Sequence, residues 1–60
     1  MQDYVFKINQ ITYSCYRSNP FVVHVEHDNG AYDCVEIPFS FNNFQQFKEF
    51  AFNLHTKYGN

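Results

Sequence analysis

Sixty residues with a formal charge of −2 make room for one domain, residues 1–60, and one core. The four basic residues, Lys7, Arg17, Lys48 and Lys57, are scattered. That distribution argues against nucleic acid as a partner, because affinity there comes largely from clustered Lys and Arg on phosphates.

From the N-terminus, apolar residues fall on even positions (Tyr4, Phe6, Ile8) and then on odd ones (Ile11, Tyr13, Cys15). A two-residue turn at Asn9-Gln10 accounts for the switch and pairs Ile8 with Ile11, Phe6 with Tyr13 and Tyr4 with Cys15. A bulged continuous strand is the rival, since Gln is not favoured in a tight turn. Arg17-Ser18-Asn19-Pro20 reads as a polar connection to a third strand, Phe21–His27. Asp28-Asn29-Gly30 separates it from a fourth, Ala31–Ile37.

Faces decide the length of that loop. With Asn29-Gly30 alone as the turn, Glu26 would face Asp33 and Val23 would face Glu36. A three-residue loop places Gly30 at the left-handed bulge position and pairs His27 with Ala31, Val25 with Asp33, Val23 with Val35 and Phe21 with Ile37. Phe21, Val23, Val25, Val35 and Ile37 then share one face. Pro38 ends the strand, and Ser40 is the expected N-cap of a helix from Phe41 to Tyr58. Phe44, Phe47, Ala51, Leu54 and Tyr58 form its apolar stripe, and Gly59 suits the position past its end. The expected fold is α+β: a four-stranded antiparallel meander with one C-terminal helix packed on one face, in two layers.

In this register Cys34 lies across from His24, with Glu36 diagonal to both and Tyr32 paired with Glu26. A thiolate, a base and a carboxylate could in principle form a catalytic set. An open sheet face offers neither cleft nor oxyanion donors, so no catalytic residue is assigned and no enzyme is expected. Metal binding is not expected either. His24-x-x-His27 points to opposite faces of a strand, and His24, Cys34 and Glu36 give three ligands at best. No phosphate loop is present, so no cofactor is expected. His55, on the helix flank, needs no special account. Cys15 and Cys34 point to opposite sides of the sheet, which precludes a bridge and agrees with a reducing compartment. With no signal-peptide pattern after Met1 and no apolar run long enough to span a bilayer, the cytoplasm is the expected location and no membrane partner is expected.

The surfaces carry the functional expectation. Eight Phe and five Tyr exceed what one small core needs, a first hint of an interface. Phe52 falls outside the helical stripe, among Gln45 and Glu49. The outer sheet face carries Tyr16, Val22, His24, Tyr32 and Glu36, more apolar than a solvated face requires. These eight residues are the candidate contacts with a protein partner. The reading is a small non-enzymatic binding module that inhibits or modulates that partner. Phe, Tyr, Asn, Lys and Ile total 26 against 7 for Gly, Ala, Arg and Pro, which implies an AT-rich gene. Its sharpest form is therefore an inhibitor of a host enzyme, toxin or defence system, encoded by a phage or mobile element. The alternatives are a nucleic-acid-binding sheet that stacks bases on Tyr16 and Tyr32, or a structural subunit that forms a homodimer.

Overall fold

The computed structural model describes residues 4–58. Along the chain run β1 (Tyr4–Ile8), β2 (Ile11–Tyr16), β3 (Asn19–His27), β4 (Tyr32–Glu36) and α1 (Phe44–Tyr58). The strands form one antiparallel sheet in the order β1-β2-β3-β4, and the helix contacts β1. The domain is an α+β meander with a C-terminal helix.

The first turn is tight, not a bulge. Tyr4 pairs with Cys15, Phe6 with Tyr13 and Ile8 with Ile11. Asn9 makes the reversal by adopting a φ of 55°. Asn tolerates that left-handed region because its short polar side chain can bond locally. The β3–β4 loop follows the three-residue expectation: Gly30 has a φ of +94°, and the His27 N–H donates to the Ala31 carbonyl at 2.8 Å. An added Cβ on Gly30 would meet nothing within 4 Å. Glycine is required there for its backbone angle alone. The Asn29 side chain accepts from the Ala31 N–H at 2.9 Å, and the Gln10 carbonyl accepts from the Asp28 N–H at 2.9 Å. The second bond ties the two loops together.

Two boundaries differ from the sequence reading. The connection expected over Arg17–Pro20 shortens, because Asn19 pairs with Tyr16 and β3 starts there. A register shift between Ser14 and Tyr16 accommodates Pro20 inside the strand. A bulge is where a residue lacking an N–H can sit without breaking a ladder bond. The helix starts at Phe44, not Phe41, and its N-cap is Asn43, not Ser40. Asn43 Oδ1 accepts from the Gln46 N–H at 2.9 Å, and Gln46 Oε1 accepts from the Asn42 N–H at 2.9 Å. This reciprocal pair is a close variant of the capping box. Phe41 consequently lies in the connection, where its ring packs edge-on against Phe47 at 5.3 Å. Gly59, the expected residue past the helix end, lies outside the described residues.

Ile11, Tyr13, Cys15, Val23, Val25, Ile37, Phe47 and Ala51 form the buried core. Leu54 of the stripe is half-buried, whereas Phe44 is exposed at the first helical position. The helix leans towards β1, so the inner face is covered unevenly. Phe21 shares that face with Val23 and Val25 but remains 51% exposed. Asp33, on the inner side of β4, is exposed too, which is where a charge on that face can stay hydrated.

Many of the rings contact one another within the molecule. Tyr4 stacks on Phe47 at 5.5 Å, Phe44 meets Phe6 at 6.1 Å, and Phe39, Phe41 and Phe50 contact one another at 5.5–5.9 Å. Lys48 lies 5.8 Å from the centre of the Phe6 ring and 5.9 Å from that of Phe44. Part of the aromatic richness thus builds a ring layer between sheet and helix, while Phe21, Tyr32, Phe39, Phe44 and Phe52 remain exposed.

The cap assignment has a direct consequence. Asn43→Ala should destabilise the domain by about 1 kcal/mol, since it orphans a helix N–H, while Ser40→Ala should stay within about 0.5 kcal/mol of the parent. Urea denaturation of both variants checks this. Equal losses would place the helix start elsewhere.

Candidate functional site

Outward-facing side chains follow from the same register. In β3–β4 the odd-numbered pairs carry the ladder bonds, as at His27/Ala31 and Phe21/Ile37. His24 and Cys34 are therefore a non-hydrogen-bonded pair, the type in which opposed side chains approach most closely. Glu26 pairs with Tyr32 on one side of them and Val22 with Glu36 on the other.

Tyr32 leans along the sheet into this centre. Its ring stacks on His24 at 5.9 Å with an interplanar angle of 29°, and Tyr16 meets His24 edge-on at 5.2 Å. The Cys34 S–H donates to Tyr32 Oη at 3.3 Å, and the Tyr32 hydroxyl bonds to His24 Nδ1, in the tautomer that leaves Nδ1 an acceptor. Four side chains from β2, β3 and β4 thus form one connected patch on the outer face. Tyr32 remains 57% exposed within it, and Cys34 is exposed.

The eight expected contact residues divide between two opposite surfaces. Tyr16, His24 and Tyr32 are brought together, flanked by Val22 and Glu36. Gln45, Glu49 and Phe52 lie on the helix, where Gln45 Nε2 donates to Glu49 Oε2 at 3.2 Å. Phe52 is 50% exposed, with its ring against Phe6 at 5.3 Å. It is anchored to the ring layer as well as presented to solvent. No single flat partner surface can touch both groups.

His24 Nδ1 faces both the phenol and the Cys34 sulfur, the latter at 3.9 Å, so hydroxyl and thiol share one imidazole nitrogen. The Cys34 N–H donates to Asp33 Oδ1 at 2.9 Å and is already committed. Of the surface concavities of about 230, 290 and 280 Å³, the first reaches the patch at Tyr16 and the third at Glu36, while His24, Tyr32 and Cys34 line none of them. Among the described residues, no group of three His, Cys, Asp or Glu side chains could hold a metal ion. Neither cysteine is in a disulfide; Cys15 is buried on the inner side.

His55 has a role that the sequence reading passed over. Tyr13 is fully buried, and its hydroxyl lies 2.9 Å from His55 Nδ1. A buried hydroxyl without a partner costs about 1–3 kcal/mol, so this bond lets the large ring sit at the sheet centre. The spacing between the two residues is long, and no local pattern announces the pair.

No protein-family model matches the sequence, and neither curated proteins nor solved structures give a significant match. No helix among the described residues is long and apolar enough to cross a membrane.

The Tyr32 phenol is pushed up to about 12, first by a hydrogen bond with Cys34 in which the phenol's own O–H is held, then by desolvation and by the nearby Cys34, Glu26 and Tyr16 charges. The neutral phenol is favoured by the fold, so its stabilising contribution is present below pH ~10 and is lost as the pH rises towards 12. In an ultraviolet phenolate titration, Tyr32→Phe should remove one high-pH step, and Cys34→Ala should bring that same step down towards 10. An unchanged curve in Cys34→Ala would show that the thiol does not hold the phenol.

Proposed function

We propose that the chain is a small non-enzymatic protein-binding module whose outer sheet face covers the surface of a partner protein. The observation that carries this reading is the connected Tyr16–His24–Tyr32–Cys34 patch, with Tyr32 57% exposed on an open face. Rigid aromatic residues bring large contact area at low entropic cost, and they are enriched at interface cores. The open setting and the committed Cys34 N–H favour binding over catalysis. Half-buried Val22 and exposed Val5 extend the apolar character of the face.

In its sharpest form the module is an inhibitor encoded by a phage or mobile element and acting in the host cytoplasm on an enzyme, toxin or defence system. The residue types that imply an AT-rich gene support that version, and two cysteines held apart on opposite faces suit a reducing compartment. Occupying a partner's surface requires no pocket or cofactor. Nucleic acid fits this face poorly, because Glu26 and Glu36 flank the rings on which bases would stack.

Paired surface variants test the reading. Val22→Asp on the outer sheet and Phe52→Asp on the helix should both stay folded by circular dichroism. Used as bait in host lysate, the parent and Phe52→Asp should retain one stoichiometric protein that Val22→Asp loses, because a charge in a desolvated contact costs a few kcal/mol. Loss with Phe52→Asp alone would move the contact to the helix. Retention by both variants would remove each surface from consideration.

A further inference from the structure

The charges around the outer patch narrow the chemistry of what it can receive. Glu26 sits opposite Tyr32, and Glu36 sits opposite Val22, with the His24/Cys34 pair in the row between. Both carboxylates are exposed and outward-facing. The cation of the outward rows, Lys7 on β1, is paired with Asp28 at 3.5 Å, at the loop end of the sheet. The centre of the face is therefore an aromatic strip with a negative charge at each end.

The spacing of those charges has a counterpart in extended backbone. Glu26 and Glu36 lie two cross-strand rows apart, equivalent to four residues of strand, or about 13–14 Å at ~3.3–3.4 Å per residue. Side chains at i, i+2 and i+4 of an extended segment point to one side over that same distance. A segment laid on the face could thus place a cation at each carboxylate while its middle side chain rests on the rings. The exposed Tyr32 ring also offers a π-face to a guanidinium, which is attracted to the negative face of an aromatic ring.

We infer that the outer sheet face receives an extended, basic segment of a protein partner. Arginines four residues apart engage Glu26 and Glu36, and an apolar or aromatic residue midway lies on Tyr32 and His24. This assignment rests on the protein-binding reading above and specifies the partner's chemistry. A phosphate backbone is disfavoured on the same grounds, since it would bring like charge to both carboxylates. Arginine is preferred to lysine because its planar group pairs with a carboxylate and stacks on a ring at once.

The test uses the full chain, isotope-labelled and in low salt, titrated by NMR with a blocked pentapeptide. That peptide carries arginine at both ends, serine next to each and tyrosine at the centre. Amide shifts should saturate and map to residues 22–26 and 32–36. An isomer with the two arginines adjacent should bind several-fold more weakly, and a citrulline version roughly tenfold more weakly. Glu26→Gln and Glu36→Gln should each weaken binding several-fold without disturbing the spectrum elsewhere. Several results would overturn the inference: no saturable shift at millimolar peptide, shifts centred on Glu49, equal binding by the citrulline version, or tighter binding of a single-stranded oligonucleotide. The two proposals fail separately. Capture that depends on Val22 without peptide binding leaves the module and removes the basic segment. Peptide binding with capture indifferent to Val22 leaves the cation site and removes the contact assignment.

Discussion

Gly30 closes a loop of three residues at a φ of +94°, and the odd length of that loop sets the parity of the whole β3–β4 hairpin. Side chains alternate along a strand with a period of two, so a slip of one residue would exchange the inner and outer faces of β4. With this loop, Val23, Val25, Val35 and Ile37 point to the helix and Tyr32, Cys34 and Glu36 point away. Both the core and the proposed contact surface descend from the same backbone angle. The Asn9 turn does the equivalent service for β1, and the Gln10–Asp28 bond holds the two loops in one relation.

Above that sheet the fold depends on rings more than on aliphatic packing. A single Leu and a helix only partly aligned with the sheet leave Tyr4, Phe6, Phe41, Phe44, Phe47 and Phe50 to fill the interlayer space. Edge-on and stacked rings pack well at 5–7 Å, which lets a small domain bury a large area from few positions. Tyr13 carries a polar atom into that layer, and His55 supplies its partner from the helix. The bond joins the sheet centre to the last turns of α1, so sheet and helix positions are coupled by a specific contact as well as by apolar burial.

Much of this was legible in the sequence where a local rule was strong. The period-two pattern, the Asp28-Asn29-Gly30 loop and the requirement that apolar side chains share a face together yielded the registers of the two hairpins and the His24/Cys34 pair. What escaped was set by longer-range or competing chemistry. Ser40 looked like a cap, yet Asn43 followed three residues later by Gln46 was the better signal, and it releases Phe41 to pack as a loop residue. Pro20 read as part of a polar connection, but the extra residues that β3 carries between Asn19 and His24 take it into the strand at an irregularity. The lean of the helix towards β1, which uncovers Phe21, depends on the sum of ring contacts and has no sequence signature. Of the site, the membership of the outer patch was readable by parity. The Tyr32 hydroxyl linking Cys34 to His24 was not, because it depends on how one side chain leans.

The functional reading stands or falls with that parity, since a shifted hairpin would bury Tyr32 and disperse the patch. The most direct measurement is an NMR map of cross-strand Hα–Hα contacts in the β3–β4 hairpin. Non-hydrogen-bonded partners bring their Cα atoms to about 4.5 Å. The structure requires a strong contact between His24 and Cys34, accompanied by Glu26 with Tyr32 and Val22 with Glu36. Contacts of Val25 with Cys34 or of Val23 with Glu36 would instead establish the two-residue loop, and the outer aromatic face would not exist.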